Sequence, residues 1–291
     1  MGIQIEAACA SHIGYVRSNN EDNFYFLGQS LPQENRGQNP PLYHFGPVSD
    51  GDCLAVFDGM GGGDYGEAAS CTAAERMQQL LTRHRSSEDV TGFLETACQE
   101  ISRAVWNRAN DLETDRMGST LAALYFCGDS LHAVNVGDSR IFGQRGDRFK
   151  QISVDHTDEA YLREKGIIGR NPRLTQYIGM DPGSVMIEPA VGKMSLRAGD
   201  VYLICSDGLT DMVKQDEIQA ILASCGAAPA CAEKLIRTAL EHGGRDNVTV
   251  IVCRIVETAS AAAPVRPVEK KKEPLDQMSS LGRKLLKLFR D

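Results

Sequence analysis

"AVFDGMGGGDYGEAAS" (residues 55–70) runs an apolar strand into an acid, then a glycine-rich turn, then a helix. An aspartate at the end of a buried strand, with almost nothing bulky after it, has two readings. The glycines cradle a phosphate, or they leave Asp58 bare to hold a metal ion. A phosphate cradle of the common kind continues into Gly-Lys-Ser/Thr. Here an acid leads the glycines and no such triplet follows, so the metal reading is the stronger one.

Other acids repeat this context. Asp138 ("AVNVGDS") and Asp207 ("YLICSDG") close apolar runs, Asp246 ("GGRDN") enters "VTVIV", and Glu21 and Asp22 ("RSNNED") precede "NFYF". A single Asp-Gly after a strand is usually only a turn. Strands that share a sheet, however, would bring these carboxylates to one edge, where like charges raise one another's pKa unless something neutralises them. The basic residues in the motifs are Arg17, Arg140 and Arg245. Divalent cations are the simpler remedy, because they take carboxylate, carbonyl and water oxygens. Gly59, without a Cβ, can turn its carbonyl toward the same ion. A pair of such ions lowers the pKa of a shared water and supplies hydroxide without a protein nucleophile. Neither a GxSxG elbow nor an HExxH pair offers another chemistry. The substrate is then an anion, with Arg17 the natural extra phosphate contact.

Strand-length apolar runs fall at 3–9, 23–27, 53–57, 119–127, 131–136, 139–143, 184–190, 201–205 and 248–256. Helical periodicity falls in two pairs, 66–83 with 89–110 and 215–224 with 229–242. Asp64 and Glu67 have the spacing of a capping box for the first helix. Strands and helices come in blocks, which points to an α+β protein with sheets covered on their outer faces by helix pairs. No internal repeat is evident.

No apolar run reaches the ~18 residues of a membrane span, and the first fourteen residues lack the pattern of a secretory signal. Nine cysteines without ligand spacing read as reduced thiols in a cytoplasmic setting. The net charge of -8 is divided: residues 258–291 hold eight Lys/Arg and four acids, a net of +4, leaving -12 on the rest. So acidic a body argues against a nucleic-acid partner. The composition divides the chain into a catalytic domain at 1–257, an Ala/Pro/Lys-rich linker at 258–280 and a short basic amphipathic tail at 281–291. That tail carries Leu281, Leu285, Leu288 and Phe289 on one helical face, suited to a membrane or partner contact.

The order "VRSNNED … FDGMGG … MGSTL … VGDSR … DHT … CSDGLTD … GRDNVTV", spanning about residues 6 to 256, resembles the metal-dependent protein phosphatase family, type 2C, above all its compact bacterial Ser/Thr members. The resemblance implies a four-layer α-β-β-α sandwich of two mainly antiparallel sheets flanked by helix pairs. It implies two Mn²⁺ or Mg²⁺ ions and a weaker third. Asp58 would bridge the first two, Asp207 and Asp246 would complete one, and the Gly59 carbonyl would join the other. Glu21 and Asp22 would act through metal-bound waters, Asp138 with Asp207 would form the third site, and Arg17 would bind the substrate phosphate. Asn247 would orient Asp246. The implied reaction is in-line attack of hydroxide on phosphoserine or phosphothreonine, with no phosphoenzyme. The implied protein is a monomer whose partners are phosphorylated proteins and a Ser/Thr kinase that it opposes.

Two departures stand out. Animal members carry His where Met60 stands, and bacterial relatives share the Met. The flap region at 156–179 is several residues short. Two rival readings are an inactive relative that serves as a regulatory binding module, and a phosphomonoesterase acting on small molecules. His156 in "VDHT" reads as structural and "SDGD" (49–52) as a polar turn.

Overall fold

The computed structural model describes residues 3–60, 65–84 and 89–257. Its strands are β1 (Ile3–His12), β2 (Asp22–Phe26), β3 (Gly37–Val48), β4 (Cys53–Met60), β5 (Gly118–Ser119), β6 (Leu121–Cys127), β7 (Ser130–Val136), β8 (Arg140–Arg145), β9 (Arg148–Gln151), β10 (Ala190–Ser195), β11 (Val201–Cys205) and β12 (Val248–Glu257). Its helices are α1 (Gly66–Arg83), α2 (Val90–Asp111), α3 (Glu159–Glu164), α4 (Asp207–Thr210), α5 (Gln215–Ser224) and α6 (Ala228–Glu241). One sheet has the order β3-β1-β12-β11-β8-β9 and the other β10-β7-β6-β4-β2, with β5 paired to β4. Every strand pair among the described residues is antiparallel.

Strand alternation builds four layers from this topology. In β4, Leu54 and Val56 meet Ile5, Phe24, Phe26 and Ile204 between the sheets. Their neighbours Cys53, Ala55 and Phe57 face the opposite way and pack under α1 and α2. On the far side, Ala8, Leu203, Val250 and Val252 pack under α5 and α6. Strands buried on both faces carry unbroken apolar runs, which is why they read so clearly in the sequence. The expected α-β-β-α sandwich is the fold observed.

Several local expectations need correction. β3 was not expected: Pro40, Pro41 and Pro47 argue against a strand, yet β3 is an edge strand, where proline is tolerated. β9, short and mostly half-buried, also lacks a strong apolar pattern. The run at 184–190 is not a strand; β10 begins at Ala190, and Val185 and Met186 are exposed while only Ile187 of that trio is buried. The N-cap of α1 is Tyr65, which sits in the left-handed region at φ 71° and makes no side-chain cap. Glu67 instead accepts a bond from Asn19 Nδ2 at 3.0 Å. Asp64, the linker 258–280 and the basic tail 281–291 lie outside the described residues. "SDGD" is a polar turn, with the Ser49 N–H donating to Asp52 Oδ2 at 2.8 Å. Among the described residues, no helix is long and apolar enough to cross a membrane.

Candidate metal centre

The alternation that fills the core also aims the acids. Asp58 continues the inward-facing series Leu54, Val56, and Asp22 continues Phe26, Phe24; the antiparallel register sets Asp22 opposite Asp58. Past the last apolar layer, the sandwich therefore opens at one end onto carboxylates. Asp207 arrives from the other sheet, just after β11, as the first residue of α4. Asp138 sits in the turn between β7 and β8, and Asp246 stands just before β12.

A cleft of about 320 Å³ collects Arg17, Glu21, Asp58, Gly59, Asp138, Asp207, Asp246 and Asn247, together with Met60, Thr120 and Leu174. Eight of the nine expected site residues thus meet at one place. Asp22, the ninth, is buried behind the cleft and is not part of its lining. Its Oδ2 accepts a 2.7 Å bond from Ser206 Oγ, which in turn accepts the Thr249 N–H at 3.0 Å. Arg17 is the sole positive charge among the described lining residues, and its Nη2 lies 2.6 Å from Asp246 Oδ2.

Burial and crowding disturb these acids together. Burial, then Asp207, Asp22 and Asp138, holds the Asp58 carboxyl well above the usual range. Burial followed by Asp138 pushes Asp207 up to about 7. Asp22 also rises to about 7 through burial, which its bonds to Ser206 and Thr249 partly oppose. Glu21 and Asp138 are raised mainly by burial.

The sign of the linkage is direct. A carboxylate with a raised folded pKa contributes stability that is complete below its unfolded pKa and lost as pH rises through the folded value. For Asp22 and Asp207 that window runs from about pH 4 to about pH 7. In EDTA the protein should melt lower at pH 8 than at pH 5.5, by about 5 °C or more, and Mn²⁺ should raise the melting temperature more at pH 8. Differential scanning calorimetry at the two pH values checks this.

Among the described residues, no three His, Cys, Asp or Glu side chains already stand as a closed coordination set. The donor chemistry nevertheless fits hard divalent ions: carboxylates and a backbone carbonyl, with one cation that is already paired. The backbone also leaves room for them. A Cβ at Gly66 would stand 2.6 Å from Glu21 Cδ and 3.0 Å from the Gly59 carbonyl oxygen, so a side chain there would fill the space beside both. Glu21 and Gly59 are further tied by the Gly59 N–H donating to the Glu21 carbonyl at 3.1 Å.

Asn247 braces the same loop. Its Oδ1 accepts the Glu21 N–H at 2.8 Å, and its Nδ2 donates to the carbonyls of Ile13 and Asn19 at 2.8 and 2.9 Å. It therefore holds the Glu21 loop as well as standing next to Asp246. Thr120, Ser206 and Gly66 were not singled out as site residues by sequence reasoning. Thr120 Oγ1 accepts the Asp58 N–H at 3.0 Å, and the Thr120 N–H donates to the Asp58 carbonyl at 2.8 Å. Its hydroxyl also pairs with Ser139 Oγ at 2.6 Å. Both lie inside motifs of the site, Thr120 in "MGSTL" and Ser206 in "CSDG", but the acids they support, Asp58 and Asp22, are 62 and 184 positions away in the chain.

Comparison with known proteins agrees with this geometry. The family model described as Protein phosphatase 2C matches residues 43–241. The serine/threonine protein phosphatase PstP of Mycobacterium tuberculosis is 32% identical over 256 residues, covering 86% of this chain and 45% of that protein. The chain thus spans less than half the length of that relative. The serine/threonine phosphatase stp of Listeria innocua is 29% identical over 251 residues, covering 82% of this chain and 91% of that protein. A crystal structure of the PstP catalytic domain with two manganese ions superposes with a TM-score of 0.69 at 30% identity, covering 88% of this chain and all of that one. With its four layers, its carboxylate cleft and these matches, the chain belongs to the protein phosphatase 2C family.

Proposed function

We propose that the chain is a phosphoprotein phosphatase that hydrolyses phosphoserine and phosphothreonine with two divalent ions, Mn²⁺ or Mg²⁺, and opposes a Ser/Thr kinase. The observation that carries this reading is the cleft itself, where acids from both sheets and Gly59 line one space with Arg17 as the one cation among the described lining residues. Asp58, Asp207, Asp246 and the Gly59 carbonyl would hold the two ions, with Glu21 and Asp22 acting through water. Asp138 with Asp207 would hold a weaker third ion. When bound, these ions supply the positive charge that activates water and stabilises the transferring phosphoryl group.

The chain's own residues do the rest. Thr120 fixes the Asp58 backbone on both sides, and Asn247 fixes the Glu21 loop. Arg17 Nη2 pairs with Asp246 Oδ2 at 2.6 Å, and were Asp246 to hold an ion, the guanidinium would be available for a bidentate grip on substrate phosphate. Met60 lines the cleft, but a thioether has no proton to give the leaving group, so that proton comes from water.

The test is phosphate release from a phosphothreonine peptide. Turnover is expected with Mn²⁺ and is lost in excess EDTA; turnover unaffected by EDTA would overturn the metal-dependent reading. Among the described residues, those lining the cleft lie between 17 and 247, so truncation after Glu257 should leave peptide turnover intact. A large loss would place 258–291 in the catalytic unit.

A further inference from the structure

Behind Asp138, residues 154–156 grip the turn that carries it at three successive points. Asn135 Nδ2 donates to the Val154 carbonyl at 2.7 Å, and the Val154 N–H donates to Asn135 Oδ1 at 3.1 Å. The His156 N–H donates to the Gly137 carbonyl at 3.0 Å, and His156 Nδ1 accepts the Gly137 N–H at 3.1 Å. Arg140 then reaches Asp155 Oδ2 with Nε at 2.9 Å and Nη2 at 2.7 Å. The middle grip is the one that adjoins Asp138.

Its chemistry is specific. Gly137 is buried, so its N–H needs an acceptor, and an unmade bond there would cost about 1–3 kcal/mol. A carboxylate at 156 would serve but would add negative charge beside Asp138. A neutral imidazole with its proton on Nε2 accepts without charge, and Nε2 is itself buried with no protein partner. Gly137 has φ 99°, and a Cβ there would lie 2.8 Å from Thr120 Cγ2, the residue that also holds Asp58. On its other side the His156 carbonyl accepts the Thr175 N–H at 2.8 Å, and Thr157 bridges to Leu174, which lines the cleft.

We infer that His156 is a positioning residue for Asp138: its Nδ1 sets the Gly137–Asp138 peptide, aims the carboxylate into the cleft, and ties that aim to the segment carrying Leu174. What Asp138 does once aimed rests on the proposed metal centre; how it is held does not.

Two readouts separate these layers. The first is amide hydrogen exchange of 135–140 in the metal-free protein, and the second is Mn²⁺ binding followed by EPR of the free ion. In His156→Ala, exchange at Gly137 and Asp138 should rise about tenfold or more. The weakest Mn²⁺ should bind about tenfold or more worse, with tighter ions retained. His156→Asn, whose Oδ1 reaches the place of Nδ1, should keep both near wild type. His156→Gln, whose Oε1 reaches only the place of Nε2, should behave like the alanine variant. Unchanged exchange in His156→Ala, or equal behaviour of the Asn and Gln variants, overturns the inference; if the alanine variant does not fold, the Asn/Gln comparison decides. Wild-type protein that binds no Mn²⁺ would overturn the metal reading, while the exchange data would still decide the role of His156.

Discussion

Asp58→Asn is expected to cut phosphothreonine-peptide turnover by about 10³-fold or more, while making the metal-free protein more resistant to heat at pH 8. The two effects have one cause. Asp58 stands opposite Asp22 and in hydrogen-bonding contact with Asp207, and its carboxyl is held far above the usual range by burial and by those neighbours. In the proposed metal-loaded state this charge density would hold the ions, whose transition-state stabilisation would be worth several kcal/mol. In the empty protein it is a liability, because ionising the cluster at pH 8 works against folding. An amide of the same shape removes the charge and can still donate to Asp207. Melting in EDTA and turnover in Mn²⁺ should therefore move in opposite directions. A folded Asp58→Asn protein with near-normal turnover, or one that melts lower than wild type in EDTA at pH 8, contradicts this account.

Gly59→Ala is expected to damage both stability and activity. A Cβ at that position would lie 2.0 Å from the Gly66 carbonyl oxygen and 2.5 Å from the Glu21 carbonyl oxygen. Both neighbours are backbone, so no side-chain rotation relieves the clash. Relief requires the start of α1 or the Glu21 loop to move, at a cost of about 3 kcal/mol or more and roughly 6–12 °C in melting temperature. Displacing Glu21 and the Gly59 carbonyl by even ~1 Å should reduce turnover by about 10². Gly226→Ala is the control: nothing lies within 4 Å of a Cβ there, and its effect should stay within about 0.5 kcal/mol. If Gly59→Ala is as mild as that control, the tight approach of β4, α1 and the Glu21 loop does not hold.

What could be read from the chain follows from how local each signal is. The inner strands and the four long helices announce themselves by periodicity, because each helix buries one face in a core layer and each inner strand buries its two faces in two adjacent layers. β3 does not, since its prolines are tolerable only at a sheet edge and edges are properties of the assembled sheet. The acids were legible as a set because each stands at a strand terminus beside Gly or Asn. Their division of labour was not. Whether Asp22 lines the cleft depends on Ser206, 184 positions away, whose hydroxyl holds it back in the interior. Likewise the Arg17–Asp246 pair joins residues 229 apart and exists only once β12 is placed. Thr120, a small hydroxyl residue within an apolar segment, gives no sign of bonding Asp58 until β6 lies beside β4.

The most direct test of the central claim is calorimetric Mn²⁺ titration at pH 6.5 in buffers of different ionisation enthalpy. If the cleft is a metal centre built from carboxylates with raised pKa values, two ions bind per chain with net proton release. That release should shrink at pH 8.5, where Asp22 and Asp207 are already ionised, and binding should collapse in Asp58→Asn. Absence of binding, or binding that releases no protons and ignores Asp58, would contradict it.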